Sequence, residues 1–187
     1  MEFLSALWLP ILLSAVFVFL ASSVLHMILP VHRNDAKPLP EEDEFCANLN
    51  AQNVEPGEYF FPACASMKDM GSEEMMAKYN RGPVGYLLLS PKGPPPMGKL
   101  LGQWFAYCIV VSVFTAYIAF LAMGKGADYE HAFRVSGSIA VSIYALGSVP
   151  NSIWKGVPWS NTVKFLFDGV VYGLITAGTF GWLWPTT

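Results

Sequence analysis

Four stretches of this chain, residues 4–29, 100–123, 132–153 and 162–184, carry almost no charge. A helix needs about 20 apolar residues to cross a hydrocarbon core about 30 Å thick, and there it satisfies its own backbone hydrogen bonds. Leu4–Leu29 is free of Asp, Glu, Lys and Arg throughout and contains Pro10, a point at which a helix kinks. Leu100–Met123 is likewise uncharged from end to end and is closed by Gly124. The uncharged part of the third stretch is Val135–Val149. As a helix it would be only about 22 Å long, too short to cross. Extended to Ala132–Ile153 it reaches spanning length if Arg134 snorkels to the interface. Thr162–Trp184 is the fourth and is followed by Pro185. All six tryptophans fall near the expected helix ends, where an aromatic belt belongs. The first stretch lacks the basic start of a signal peptide and carries Glu2 instead, so it is expected to stay as an uncleaved anchor.

The segment between the first two spans, residues 30–99, holds 17 of the 25 charged side chains. It is too long for a structureless connection and reads as a small α+β cap. Glu41–Ala51 reads as a helix with Phe45 and Leu49 on one face. Tyr59-Phe60-Phe61 and Val84–Leu89 read as short strands. Ser72 reads as the N-cap of a helix through Tyr79, with Glu73 and Glu74 in its first turn. The expected fold class is therefore an all-α membrane protein, a four-transmembrane-helix bundle with a small α+β extramembrane insertion between helices 1 and 2.

Four spans put the insertion and the 154–160 turn on one side, and both termini with the 124–131 turn on the other. Arg33, Lys37, Lys92, Lys99, Lys155 and Lys164 lie on the first side, against Lys125 and Arg134. The positive-inside rule then places the insertion in the cytoplasm of a multi-pass cell inner-membrane protein, with both termini outside. A formal net charge of −3 and the lack of any basic cluster exclude a nucleic-acid binder. Cys46 and Cys64 can pair only if the insertion faces an oxidising compartment, and Cys108 reads as a packing residue within a span.

Asp168 is the most informative residue, because an ionisable group well inside a span is costly. It can be the local partner of Lys164, one turn earlier on the same face, or a carboxylate that marks a functional site. His26 lies at a similar depth from the same side and can be merely interfacial, or can meet Asp168. Together with Ser22, Gln103, Tyr107, Tyr144 and Lys164, these two define a candidate polar pocket at the cytoplasmic end of the bundle. His26, His32, His131, Cys46 and Cys64 match no zinc or copper spacing, so no metal and no cofactor is expected. No catalytic motif is present, so an enzyme is not the leading expectation.

Gly169, Gly173, Ala177 and Gly181 recur every fourth residue, a small-xxx-small stripe for close helix packing. Its partner is either another span of the monomer or a second protein, which makes a membrane-protein partner or homo-oligomer one reading. Ser138 and Ser142 suggest a similar face on the third span.

Three sets of residues carry a resemblance: Ser23–Pro30 with His32-Arg33; Arg81–Gly85 leading to Gly98-Lys99; and Ser152–Asn161 with Asp168-Gly169. Together they resemble a family of uncharacterised bacterial four-span membrane proteins. The resemblance implies a bacterial membrane origin and transfers no activity. The leading functional expectation is a non-enzymatic accessory or assembly subunit of a membrane complex. The alternatives are a small transporter or proton-linked channel using Asp168 and His26, and an interfacial enzyme acting on lipid or quinone.

Overall fold

The computed structural model describes residues 2–186. Its helices are α1 (Glu2–Ser23, continued by a π turn Val24–Ile28), α2 (Glu42–Ala51), α3 (Glu73–Arg81), α4 (Met97–Met123), α5 (Tyr129–Leu146), α6 (Val149–Lys155) and α7 (Trp159–Trp182). Two strands, β1 (Gly57–Phe61) and β2 (Gly85–Leu89), pair antiparallel with Gly57 opposite Leu89. Four helical segments are long and apolar enough to cross a membrane: Glu2–Ile28, Met97–Met123, Tyr129–Lys155 and Trp159–Trp182. The chain divides into a helical unit, residues 1–36, 96–153 and 157–187, and a cap unit, residues 37–95 with 154–156.

In the helical unit, α1 departs from helical geometry at Leu7 (φ −118°, ψ 15°), three residues before Pro10. That is where a proline ring disturbs the preceding turn. The third span, expected to be continuous, is broken at Gly147-Ser148 and resumes as α6. The stripe on α7 packs against α5 of the same chain. A Cβ built on Gly169 would stand 2.5 Å from the Ala145 backbone, and one on Gly173 2.9 Å from the Val141 nitrogen. Conversely, Gly137 of α5 receives Ala177. The facing stripe on α5 is therefore Gly137, Val141 and Ala145. Ser138 and Ser142 point away from it and are exposed, one register step off the expected face.

The far end of the unit is closed by an apolar cluster of Leu7, Ile11, Ala116, Ala119, Ala132, Phe180 and Trp184. Polar contacts stitch that end together. Asp128 caps α5 by accepting from the His131 nitrogen at 2.9 Å, and Trp184 Nε1 donates to the Gly124 carbonyl at 3.1 Å. Trp184 is thus turned inward. Trp8, Trp154, Trp159 and Trp182 are exposed as belt residues would be, whereas Trp104 is half-buried and Trp184 buried.

In the cap, the Ser72 hydroxyl accepts from the Met75 nitrogen at 3.2 Å, so the expected N-cap forms, and α3 runs on to Arg81. Glu58 pairs with Lys155 at 2.6 Å. Among the described residues of segment 37–95, Met75 alone is buried. Cys46 and Cys64 are both free thiols.

Candidate functional site

The site is built by the way α1 ends. Its last turn widens into the π turn, and Pro30, which has no N–H to donate, prevents the ladder from continuing. A single 3-10 turn, Pro30–His32, then doubles the chain back. His32 thereby lands on His26, with the two rings stacked at 4.1 Å between centroids. Phe165 of α7 flanks the His32 ring at 5.2 Å.

One turn further along α7 stands Asp168, 2% exposed. Its Oδ2 lies 3.3 Å from His26 Nε2 and 2.8 Å from His32 Nε2. On its other edge His32 Nδ1 is 2.6 Å from Asp35 Oδ2, and Asp35 Oδ1 is 2.5 Å from Lys164 Nζ. Asn161 Nδ2 donates to the Asp35 carbonyl at 2.8 Å, which fixes the returning segment on α7. The result is one file of groups: Lys164, Asp35, His32, Asp168, His26.

The expected Lys164–Asp168 pair is not formed. Although one helical turn separates them, Lys164 turns to Asp35, which is nearer the aqueous end of α7 and spares the lysine a deeper burial. Partial desolvation pushes the Asp35 carboxyl up, but hydrogen bonds from Lys164 and His32 outweigh it and hold Asp35 below the ordinary carboxylate value. An ionised Asp35 only accepts, so His32 Nδ1–H donates to it. The other ring nitrogen, Nε2, faces Asp168. Despite the 2.8 Å separation the two atoms are not aligned as a hydrogen bond, and His32 Nε2, Asp168 Oδ1 and Asp168 Oδ2 all lack a hydrogen-bond partner. Leaving a buried carboxylate so unsatisfied costs several kcal/mol.

Beside this cluster the unit holds a cavity of about 820 Å³. Ser22 and His26 of α1, Gln103, Trp104 and Tyr107 of α4, Tyr144 of α5, and Asp168 and Tyr172 of α7 line it, together with Met27, Met97, Leu100 and Leu101. The pocket residues expected from sequence, Ser22, His26, Gln103, Tyr107, Tyr144 and Asp168, are thus brought onto one cavity, and Lys164 is not. Trp104 Nε1 donates to Ser22 Oγ at 2.8 Å. Trp104, Tyr107, Tyr144 and Tyr172 form a continuous aromatic wall, with neighbouring centroids 5.5–6.1 Å apart. The Tyr144 and Tyr172 hydroxyls are buried without a partner.

The sequence offers His32 only as a member of a metal set with no matching spacing and Trp104 only as a belt residue, and Asp35 and Tyr172 carry no signal of their own in it. Pro30 placed just before His32, with Asp35 one turn on, was the available signal of a chain reversal, but nothing in the spacing says that it reverses onto α7. His26, His32 and Asp168 each offer a donor atom, all within 4.8 Å of one another. Spacing rules could not find such a set, because its third member comes from the last helix of the chain and the other two from the first span and its exit. His131, by contrast, sits in the first turn of α5, and Cys46 and Cys64 belong to the cap unit. The chain matches no family model, no curated protein and no solved structure.

Proposed function

We propose that this chain is a membrane protein that binds one amphiphilic molecule of the lipid or quinone kind, with the apolar body against the aromatic wall and the polar head at His26 and Asp168. The observation that carries this reading is the cavity itself. Its volume lies within the range of small-molecule sites, and its lining combines aromatic and aliphatic side chains with the polar groups of Ser22, His26, Gln103 and Asp168. Two buried tyrosine hydroxyls without partners add donors that a carbonyl or hydroxyl group would satisfy.

A role as an accessory subunit is the competing proposal. It drew on the α7 stripe, and that stripe already has α5 as its partner, so an oligomer or a complex would need another face. A proton-linked transporter would need polar groups continuing beyond the cavity. There Ser14 and Ser112 satisfy each other at 2.9 Å, and the apolar cluster around Phe180 follows. The positive-inside bias supports an inner-membrane setting with the site near the cytoplasmic face.

The test is extraction into lipid nanodiscs followed by mass spectrometry of the released small molecules. Wild-type protein should carry an amphiphile at near-stoichiometric level, and Gln103→Trp, which fills the cavity from an exposed position on α4, should lose it. Wild-type protein that releases nothing above the bulk lipid background would end this reading.

A further inference from the structure

The geometry points to a binding site for one divalent transition-metal ion, with zinc the best-fitting cation, formed by His26 Nε2, His32 Nε2 and the Asp168 carboxylate. Three observations converge on it. The donor atoms all lie within 4.8 Å of one another. Two ligands of a tetrahedral zinc ion, with bonds of about 2.0–2.2 Å, stand about 3.3 Å apart. His26 Nε2 and Asp168 Oδ2 are separated by 3.3 Å. His32 Nε2, at 2.8 Å from the same oxygen, would withdraw by about half an ångström, and the stacked rings would turn out of their near-parallel arrangement so that both lone pairs point at one ion.

The second observation is the state of His32. Its Nδ1 edge is engaged by Asp35 at 2.6 Å, so Nε2 is the edge turned to the Asp168 carboxylate. A ring nitrogen and a carboxylate oxygen 2.8 Å apart need a positive charge between them, either a proton or a metal ion. The oxygen sits off the line along which a ring N–H would donate, as two ligands of a common ion do, whereas a shared proton would draw it onto that line. Both oxygens of the buried Asp168 are without a hydrogen-bond partner.

The third is the surroundings. A carboxylate on the far nitrogen of a ligating histidine orients the ring and raises its basicity. Asp35, itself held by Lys164 and Asn161, stands in that place. Because Lys164 balances Asp35, the donor set itself carries a single negative charge. Two imidazoles and one carboxylate suit zinc or iron better than magnesium or calcium, which take all-oxygen sets. Three protein ligands leave a position open, and His26 and Asp168 both border the cavity, so a water or the oxygen of a bound molecule can complete the sphere.

The site does not depend on the amphiphile reading, and Gln103→Trp should lose the small molecule while keeping the metal. The test uses the full chain, purified in detergent without chelator, analysed for metal, stripped, and titrated with Co2+ as a spectroscopic probe. We expect one metal per chain, visible d–d bands on adding Co2+, and their loss on adding Zn2+. Asp168→Asn and His32→Gln should abolish the bands. Asp35→Asn, which removes no ligand, should weaken binding by about 10- to 100-fold. If Asp168→Asn does not fold, His26→Ala supplies the test, since that side chain is 39% exposed and outside the core. Monodisperse wild-type protein without bands overturns the proposal. So do bands that survive in both ligand variants, or a near-ultraviolet thiolate band that disappears in a Cys46→Ser, Cys64→Ser double variant.

Discussion

A carboxylate buried on a helix long and apolar enough to cross a membrane needs a counter-group, and Asp168 meets two imidazoles rather than the lysine one turn away. Lys164 holds the segment that delivers one of those imidazoles, so its effect on Asp168 is indirect. Lys164→Gln should lower stability by about 1 kcal/mol, a figure kept small because both partners are partly solvated. The accompanying pH dependence follows from the lowered folded-state value of Asp35. The stabilisation from Asp35 is fully present above pH 3.8, its ordinary value, and is lost as pH falls through the lower folded value. Thermal melts of wild type and Asp35→Asn should therefore differ at neutral pH and converge only in acid below 3.8; a gap that closes well above that value would contradict the pairing. Half of this cluster was legible in the sequence. Burial cost singles out Asp168, and depth from one membrane side brings His26 to its level. His32 and Asp35 were not legible, because a charged segment after Pro30 reads as solvated and its return onto α7 rests on a single 3-10 turn and the Asn161 contact.

Among the elements, α5 and α7 share the most extensive contact, and their glycines set the separation. Gly169→Ala places a methyl against backbone, where nothing can rotate away, and should cost about 3 kcal/mol or more. Gly178, on the same helix, has open space where its Cβ would be, so Gly178→Ala should leave stability unchanged or slightly raised. Paired thermal-stability assays in detergent would check this, and equal losses would show that helix propensity rather than close approach governs the pair. Element types were readable because each has a local cause: apolar length for the spans, Pro10 for the kink, Ser72 for the cap of α3, alternating aromatics for the strands. The break at Gly147-Ser148 was not, since Val135–Val149 is uniformly uncharged and a turn inside it costs little only once α7 packs alongside. Nor was the α5 face, because small residues occupy both Gly137–Val141–Ala145 and Ser138–Ser142, and only the partner decides between them.

At the scale of the whole molecule, the two units differ in how they are held. The helical unit has two apolar clusters and a stitched far end. The cap has one buried residue among those described, Met75, and leaves Phe60, Tyr86 and Leu88 exposed on its two-stranded sheet. A segment of that size without a core does not offset its conformational entropy alone. Residues 37–95 expressed by themselves should give poorly dispersed amide NMR spectra, whereas a dispersed, cooperatively melting spectrum would show that the two-stranded sheet and α3 suffice. The division into spans and cap was visible from the charge distribution, because solvation sorts charged from uncharged segments before any packing is known. The cavity was not visible, being a property of how α1, α4, α5 and α7 pack together.

The glycine contacts between α5 and α7 also decide how a guest could enter. Where backbone meets backbone there is no slack, and that pair carries Asp168, Tyr144 and Tyr172. The lining from α4 includes the long side chains of Leu100 and Leu101, which are exposed and free to change rotamer. Access is therefore a matter of side-chain rotation on one helix, on the nanosecond scale of exposed groups, and the chemical end of the cavity can stay fixed while its door moves.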